Sequence, residues 1–204
     1  METFQMVGIS LTLSIVLEIP LGLFLFITDR GLFWENRFLH ILGGLLINVV
    51  RSTPYVILLV LLLPVTQQLI GTTIGPLAAS VSLSVAAVAF YARLVQGSLC
   101  EVDPGVIQAA TAFGASPAQI ISNVLLVESL PGLIRGLTIT AISLIGYSAM
   151  AGIVGGGGVG DLAIRFGYYL YQTDVMLMTV AVLIVLVQLV QMGGDKIARS
   201  ADKK

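Results

Sequence analysis

The sequence predicts an all-α integral membrane protein: one domain over residues 1–204, with five transmembrane helices and a cytoplasmic two-helix loop at about 101–130. Three observations predict it. Hydrophobic residues make up 57% of the chain and charged residues only 10%. The apolar residues gather into five runs, at about 7–27, 45–63, 77–91, 133–154 and 175–192, and about 18 or more apolar residues in a helix cross a hydrocarbon core of roughly 30 Å. The connection between the third and fourth runs is about forty residues long and carries helix-capping signals of its own.

The first run is expected to be a retained helix rather than a cleaved leader. Residues 1–10 hold no Lys or Arg and the apolar stretch has full spanning length, whereas a leader has a basic start and a shorter apolar core. It contains Glu18, an acid inside a span and therefore a functional candidate by default. With no second acid along a plausible path, Glu18 reads as a protonated or partnered group facing other helices, next to a kink at Pro20. Within the second run, Arg51, Ser52 and Pro54 read as the cytoplasmic start of its helix, with Arg51 an interfacial anchor. The third run, rich in Ala78, Ala79, Ser80, Ser82, Ser84, Ala86 and Ala87, reads as a close-packing surface; it extends through Ala92 and Leu94, interrupted only by Arg93.

The fourth run carries Thr140, Ser143, Tyr147 and Met150 at i, i+3, i+7 and i+10, with Ser148 beside Met150 at its far end. This mildly polar, uncharged stripe suits brief contact with a small zwitterion along a translocation path. Ordinary helix packing is the rival reading, because Ser and Thr also join helices by hydrogen bonds.

Orientation follows from the positive charges. Arg30, Arg37, Arg51, Arg93, Arg135, Lys196, Arg199, Lys203 and Lys204 fall on one side and only Arg165 on the other. The positive-inside rule then places the C-terminus in the cytoplasm and the N-terminus outside.

In the long third connection, Asp103-Pro104 reads as an N-cap followed by a first-turn proline. Gly114 is a C′ stop, and Ser116 and Gln119 have capping-box spacing before a second helix. Ile120, Ile121, Val124 and Leu125 give that helix an apolar stripe, and Pro131 opens the fourth span. A helix pair lying on lipid headgroups would carry more Lys and Arg. This segment instead leans acidic through Glu101, Asp103 and Glu128, which favours a surface that faces protein.

Catalytic chemistry finds little footing. Nothing matches Gly, four residues, Gly-Lys-Ser/Thr, the phosphate-binding loop. Glycines 155–158 follow a membrane helix rather than a strand and read as a flexible external turn. One His and one Cys provide no metal-ligand cluster, and the lone Cys100 excludes an internal disulfide and reads as structural. No cofactor and no nucleic-acid partner are expected.

Gln108-Ala109-Ala110, three intervening residues, Gly114, nine intervening residues and Val124-x-Leu126 resemble the cytoplasmic loop signature of ABC importer permeases, Glu-Ala-Ala, three residues, Gly, nine residues, Ile-x-Leu-Pro. Gln108 replaces the usual Glu, keeping hydrogen bonding without charge, and Val127 replaces the usual Pro. Asn48-Val-Val-Arg51-Ser52-Thr-Pro54 and Gly146-Tyr-Ser-Ala-Met150-Ala-Gly152 are similar to the methionine-importer branch of that family, over about residues 10–200. The resemblance implies a multi-pass subunit of the bacterial inner membrane that does not itself hydrolyse ATP. It implies a second copy of the chain around a two-fold pore, two cytoplasmic ATPase subunits docked on the loop, and an external substrate-binding lipoprotein. Gln108, Ala109, Ala110, Gly114, Val124 and Leu126 are the coupling-loop residues so implied. The function expected is alternating-access import of an amino acid, methionine first. A permease for another small solute and an ion-coupled secondary transporter are the rivals; the latter would show inverted repeats around a midplane site, which five spans cannot divide into equally.

Overall fold

The computed structural model describes residues 1–202; Lys203 and Lys204, counted above toward the cytoplasmic charge, lie outside the described residues. Helix α1 (Glu2–Ile27) is followed by α2 (Arg37–Ser52), α3 (Tyr55–Leu61), α4 (Leu63–Ile70) and α5 (Pro76–Cys100). The third connection holds α6 (Pro104–Ala112), α7 (Pro117–Ile120), a π-helical turn (Ile121–Leu125) and α8 (Leu126–Glu128). Helix α9 (Leu130–Ala151) comes next, then α10 (Gly158–Leu162), a second π-helical turn (Ala163–Tyr169) and α11 (Thr173–Ala201). Helices α1, α5, α9 and α11 are each long and apolar enough to cross a membrane.

The second span departs from expectation. Helix α2 begins at Arg37, eight residues before the apolar run, capped by the Asn36 side chain accepting from Leu39 N at 3.1 Å. It ends at Ser52, and α3 leaves at 104° to it. Pro54 is the cause. It offers no N–H to continue α2 and pushes Thr53 out of the helical region, and Thr53 is extended at φ −82°, ψ 123°. Taken together, α2 and α3 are long and apolar enough for a fifth crossing, bent at this break. Arg51-Ser-Thr-Pro54 marks its break rather than its cytoplasmic start.

Helix α5 is the centre of the bundle. Its small residues do pack closely, with Ala78, Ala79, Ser80, Ser82 and Ala87 all buried. Ser10 of α1 donates to Ser80 O at 3.2 Å. At Gly22 the two helices touch so closely that a Cβ would lie 2.6 Å from Val95 and 2.7 Å from Ala92 O. One apolar cluster joins Phe26 and Ile27 of α1, Tyr91, Val95 and Leu99 of α5, Val102, Ile120 and Leu125 of the long connection, and Leu133 of α9. A second, toward the other end, joins Met6, Tyr55, Leu59, Leu83, Leu144 and Ala151. Helix α11 packs along α9 and leaves a long apolar surface open, including Leu177, Val182, Val185 and Leu189.

The glycine run 155–158 is a stitched corner, not the flexible turn expected. Gly75 N donates to Gly155 O at 3.0 Å, and Gly156 N to Ala151 O at 2.9 Å. Gly158 N donates to Glu2 Oε2 at 2.7 Å, and Val159 N to Thr3 Oγ1 at 3.0 Å. These bonds gather the N-terminus, the start of α5 and the end of α9 at one end of the bundle. The opposite end carries the α6–α8 connection and the Arg135–Asp202 ion pair at 3.5 Å.

Glu18 is fully buried on α1, and neither of its carboxyl oxygens has a hydrogen-bond partner among the described residues. It faces other helices as expected, but unpartnered. Helix α1 runs unbroken through Pro20.

Candidate functional site

Helix α6 is built to stand clear of the bundle. The Asp103 side chain accepts from Gly105 N at 2.7 Å and caps its start. Its end is a Schellman closure: Gly114 N donates to Thr111 O at 2.9 Å and Ala115 N to Ala110 O at 3.1 Å. That geometry places Gly114 at φ +81°, where a residue with a Cβ is strained. Ser116 and Gln119 then form the capping box, Ser116 N donating to Gln119 Oε1 at 2.8 Å and Gln119 N to Ser116 Oγ at 3.4 Å. Both short helices are therefore capped at their starts, and the turn between them has one defined path.

The six signature residues divide by role. Gln108 and Ala109 are exposed on α6, which has no buried residue at all. Ala110 is half-buried, and with Ile107 it rests on the apolar cluster below. Val124 and Leu126 are likewise half-buried against that cluster, beside the fully buried Ile120 and Leu125. The first half of the signature thus presents a surface, and the second half fastens that surface to α5 and α9.

Phe113, which sequence reasoning passed over, ends α6 with 91% of its surface exposed. Its exposure follows from α6 having no fully buried residue, which the sequence does not reveal. An exposed aromatic beside small residues suits insertion into a partner's groove.

On α9 the expected stripe splits. Met150 is 44% exposed, and Ser143 and Tyr147 are half-buried toward the same open side. Thr140 and Ser148 are not. Both are buried within the subunit, Thr140 donating to Gly136 O at 2.9 Å and Ser148 to Ile145 O at 2.7 Å. A helical turn of 100° per residue puts Ser148 on the far side from Met150.

Tyr147 stacks on Tyr55 of α3, ring centroids 4.7 Å apart and 12° from parallel. The Tyr55 hydroxyl shares a hydrogen bond of 3.1 Å with Ser82 of α5. Arg51, expected at the membrane interface, sits beside this stack at the α2–α3 break. Its guanidinium carbon is 5.8 Å from the centre of the Phe90 ring of α5. Among the described residues no group of His, Cys, Asp or Glu could hold a metal ion.

Residues 18–199 match the family described as binding-protein-dependent transport system inner membrane component, and the chain belongs to that family. It is 45% identical, over all of its own length and 90% of the relative's, to a Vibrio cholerae protein named probable D-methionine transport system permease protein MetI. It is 43% identical to the Bacillus subtilis methionine import system permease protein MetP, over 88% of this chain and 81% of that one. Among solved structures, an inward-facing form of the MetNI methionine ABC transporter superposes with a TM-score of 0.97 at 42% identity, covering 99% of this chain and 94% of that one. An amino acid ABC transporter solved with histidines shares the fold alone, with a TM-score of 0.77 at 19% identity.

Proposed function

We propose that this chain is the membrane-spanning permease subunit of an ATP-driven methionine importer. The observation that carries the reading is the full-length identity to relatives named as methionine permeases. The exposed, doubly capped α6 supports it, because a rigid protrusion fastened to α5 and α9 is what a separate ATPase would need to move the bundle. Two copies of the chain enclose the path, two ATPase subunits dock on α6 and Phe113, and an external binding protein delivers the amino acid to the end where the N-terminus meets the glycine corner. The superposition on inward-facing structures fits a chain resting open to the ATPase side. The excess of Lys and Arg at the α6 end supports a cytoplasmic location for that end.

Reconstitution in proteoliposomes with the ATPase and binding protein tests the reading. ATP-dependent accumulation of labelled methionine is expected, with no ATP hydrolysis by the permease alone. Accumulation of another amino acid in preference would overturn the substrate, and uptake driven by an ion gradient without ATP would overturn the class.

A further inference from the structure

Arg51 is a charge, exposed in the single chain, at the break between two apolar helices. Its guanidinium lies over Phe90. At roughly 1.5 Å per residue, Phe90 stands about 21 Å along α5 from Pro76 and about 15 Å from Cys100, near mid-height of the span. An intramembrane ionisable group of this kind is retained for a partner or a pathway. Among the described residues no carboxylate pairs with Arg51; its only contact of this kind is the Phe90 ring. Glu18 is buried elsewhere on α1 and makes no ion pair with it.

The surroundings form a small receptacle. A cavity of about 130 Å³ is lined by Arg51, Thr53, Tyr55, Phe90 and Tyr147, with the apolar side chains of Val50, Leu58 and Ala86 completing it. Three constraints aim Arg51 into it: the Pro54 break that ends α2 one residue past Arg51, the Phe90 face beneath the guanidinium, and the Tyr55–Tyr147 stack opposite. Tyr55 is held by Ser82, whereas the Tyr147 hydroxyl has no hydrogen bond among the described residues and is available to a ligand. Tyr147 also belongs to the side of α9 that shows Ser143 and Met150, so the cavity adjoins the open face of that helix.

We propose that Arg51 is a substrate-contacting residue of the translocation path, receiving the α-carboxylate of the amino acid at mid-membrane while the tyrosine pair faces the ammonium and the apolar wall takes the side chain. The assignment rests on the amino-acid importer reading above. The chemistry is specific. A guanidinium presents two parallel N–H donors to a carboxylate, and aromatic faces and a free phenol suit an ammonium. The site is small and adjoins the open face of α9.

The test uses the complete transporter, with its ATPase and binding protein, in proteoliposomes. Methionine moved per ATP hydrolysed is compared among wild type, R51Q and R51K. A general packing role would lower assembly, hydrolysis and uptake together, and a coupling role would lower the ratio without moving the half-saturating methionine concentration, so that concentration is read beside the ratio. In R51Q the ratio is expected to fall about tenfold or more, as for loss of a charge-assisted contact. R51K retains charge but loses the fork, so its ratio should fall less and its half-saturating methionine concentration rise. A wild-type ratio in R51Q overturns the proposal. Should R51Q fail to assemble, R51K decides, a wild-type ratio there overturning the proposal. If the wild-type transporter moves a different amino acid, the methionine reading falls, and the same comparison run with that amino acid still decides on Arg51.

Discussion

Gly114 shows how much one backbone angle can carry. Nothing lies within 4 Å of where its Cβ would be, so a larger side chain meets no steric obstacle. The objection to one is φ +81° alone, which costs a residue with a Cβ on the order of 1–2 kcal/mol and a β-branched one more. Gly114→Val therefore leaves the bundle intact and opens the Schellman closure that orients α6. Normal membrane levels and assembly with the ATPase are expected, together with a several-fold loss of methionine uptake per ATP hydrolysed. Wild-type coupling in Gly114→Val would show that α6 does not need its fixed angle. The glycine, the capping box and Asp103 were all legible beforehand, because capping is local chemistry written in adjacent residues. Phe113 was not, since only the structure shows that its helix turns Ile107 and Ala110 to the bundle and leaves Phe113 outside.

At the scale of elements, α6 communicates with the bundle through its footing. Ile120 and Leu125 sit in one apolar cluster with Leu133 of α9 and Leu99 of α5, so a displacement of α6 reaches the fourth span through packed side chains. Tyr91 reinforces the joint, its hydroxyl donating to Leu133 O at 3.0 Å. Leu125 is fully buried there, and truncating such a leucine typically costs about 2–5 kcal/mol. Leu125→Ala is expected to lower thermal stability and to reduce uptake more than ATP hydrolysis, because the footing loosens while the docking face of α6 is untouched. Uptake and hydrolysis falling in equal proportion would assign Leu125 to general packing. The broken second span illustrates what sequence cannot supply. Pro54 correctly signals a helix start, yet a helix start can lie at either face or midway, and depth depends on packing against α5. Arg51 was consequently placed at the interface, and only the Phe90 contact shows it near mid-height. The α9 stripe divides for a different reason: Thr140 and Ser148 are polar enough to suggest a path, but each hydroxyl bonds to its own helix backbone, which lets it be buried at little cost.

For the whole molecule, the open question is which surfaces meet a second copy. Helix α9 runs 22 residues, about 33 Å at 1.5 Å per residue, with the α6 end of the bundle at its start and the glycine corner at its finish. Met150 is one residue from that finish and exposed in the single chain. An unbranched, polarizable side chain there is suited to close an irregular gap and then release it. In the proposed dimer resting open to the cytoplasm, the two Met150 side chains would face each other across the axis at the closed external end. The experiment needs a background free of other thiols, and Cys100 is exposed at the end of α5, so it is first replaced by serine. Met150→Cys in that background is expected to crosslink across the dimer without nucleotide, and several-fold less when ATP is trapped in the ATPase subunits. Crosslinking that ignores nucleotide would demote Met150 to static packing. No crosslink in either state would move the axis away from this face of α9, and with it the path shared by Ser143, Tyr147 and the Arg51 cavity.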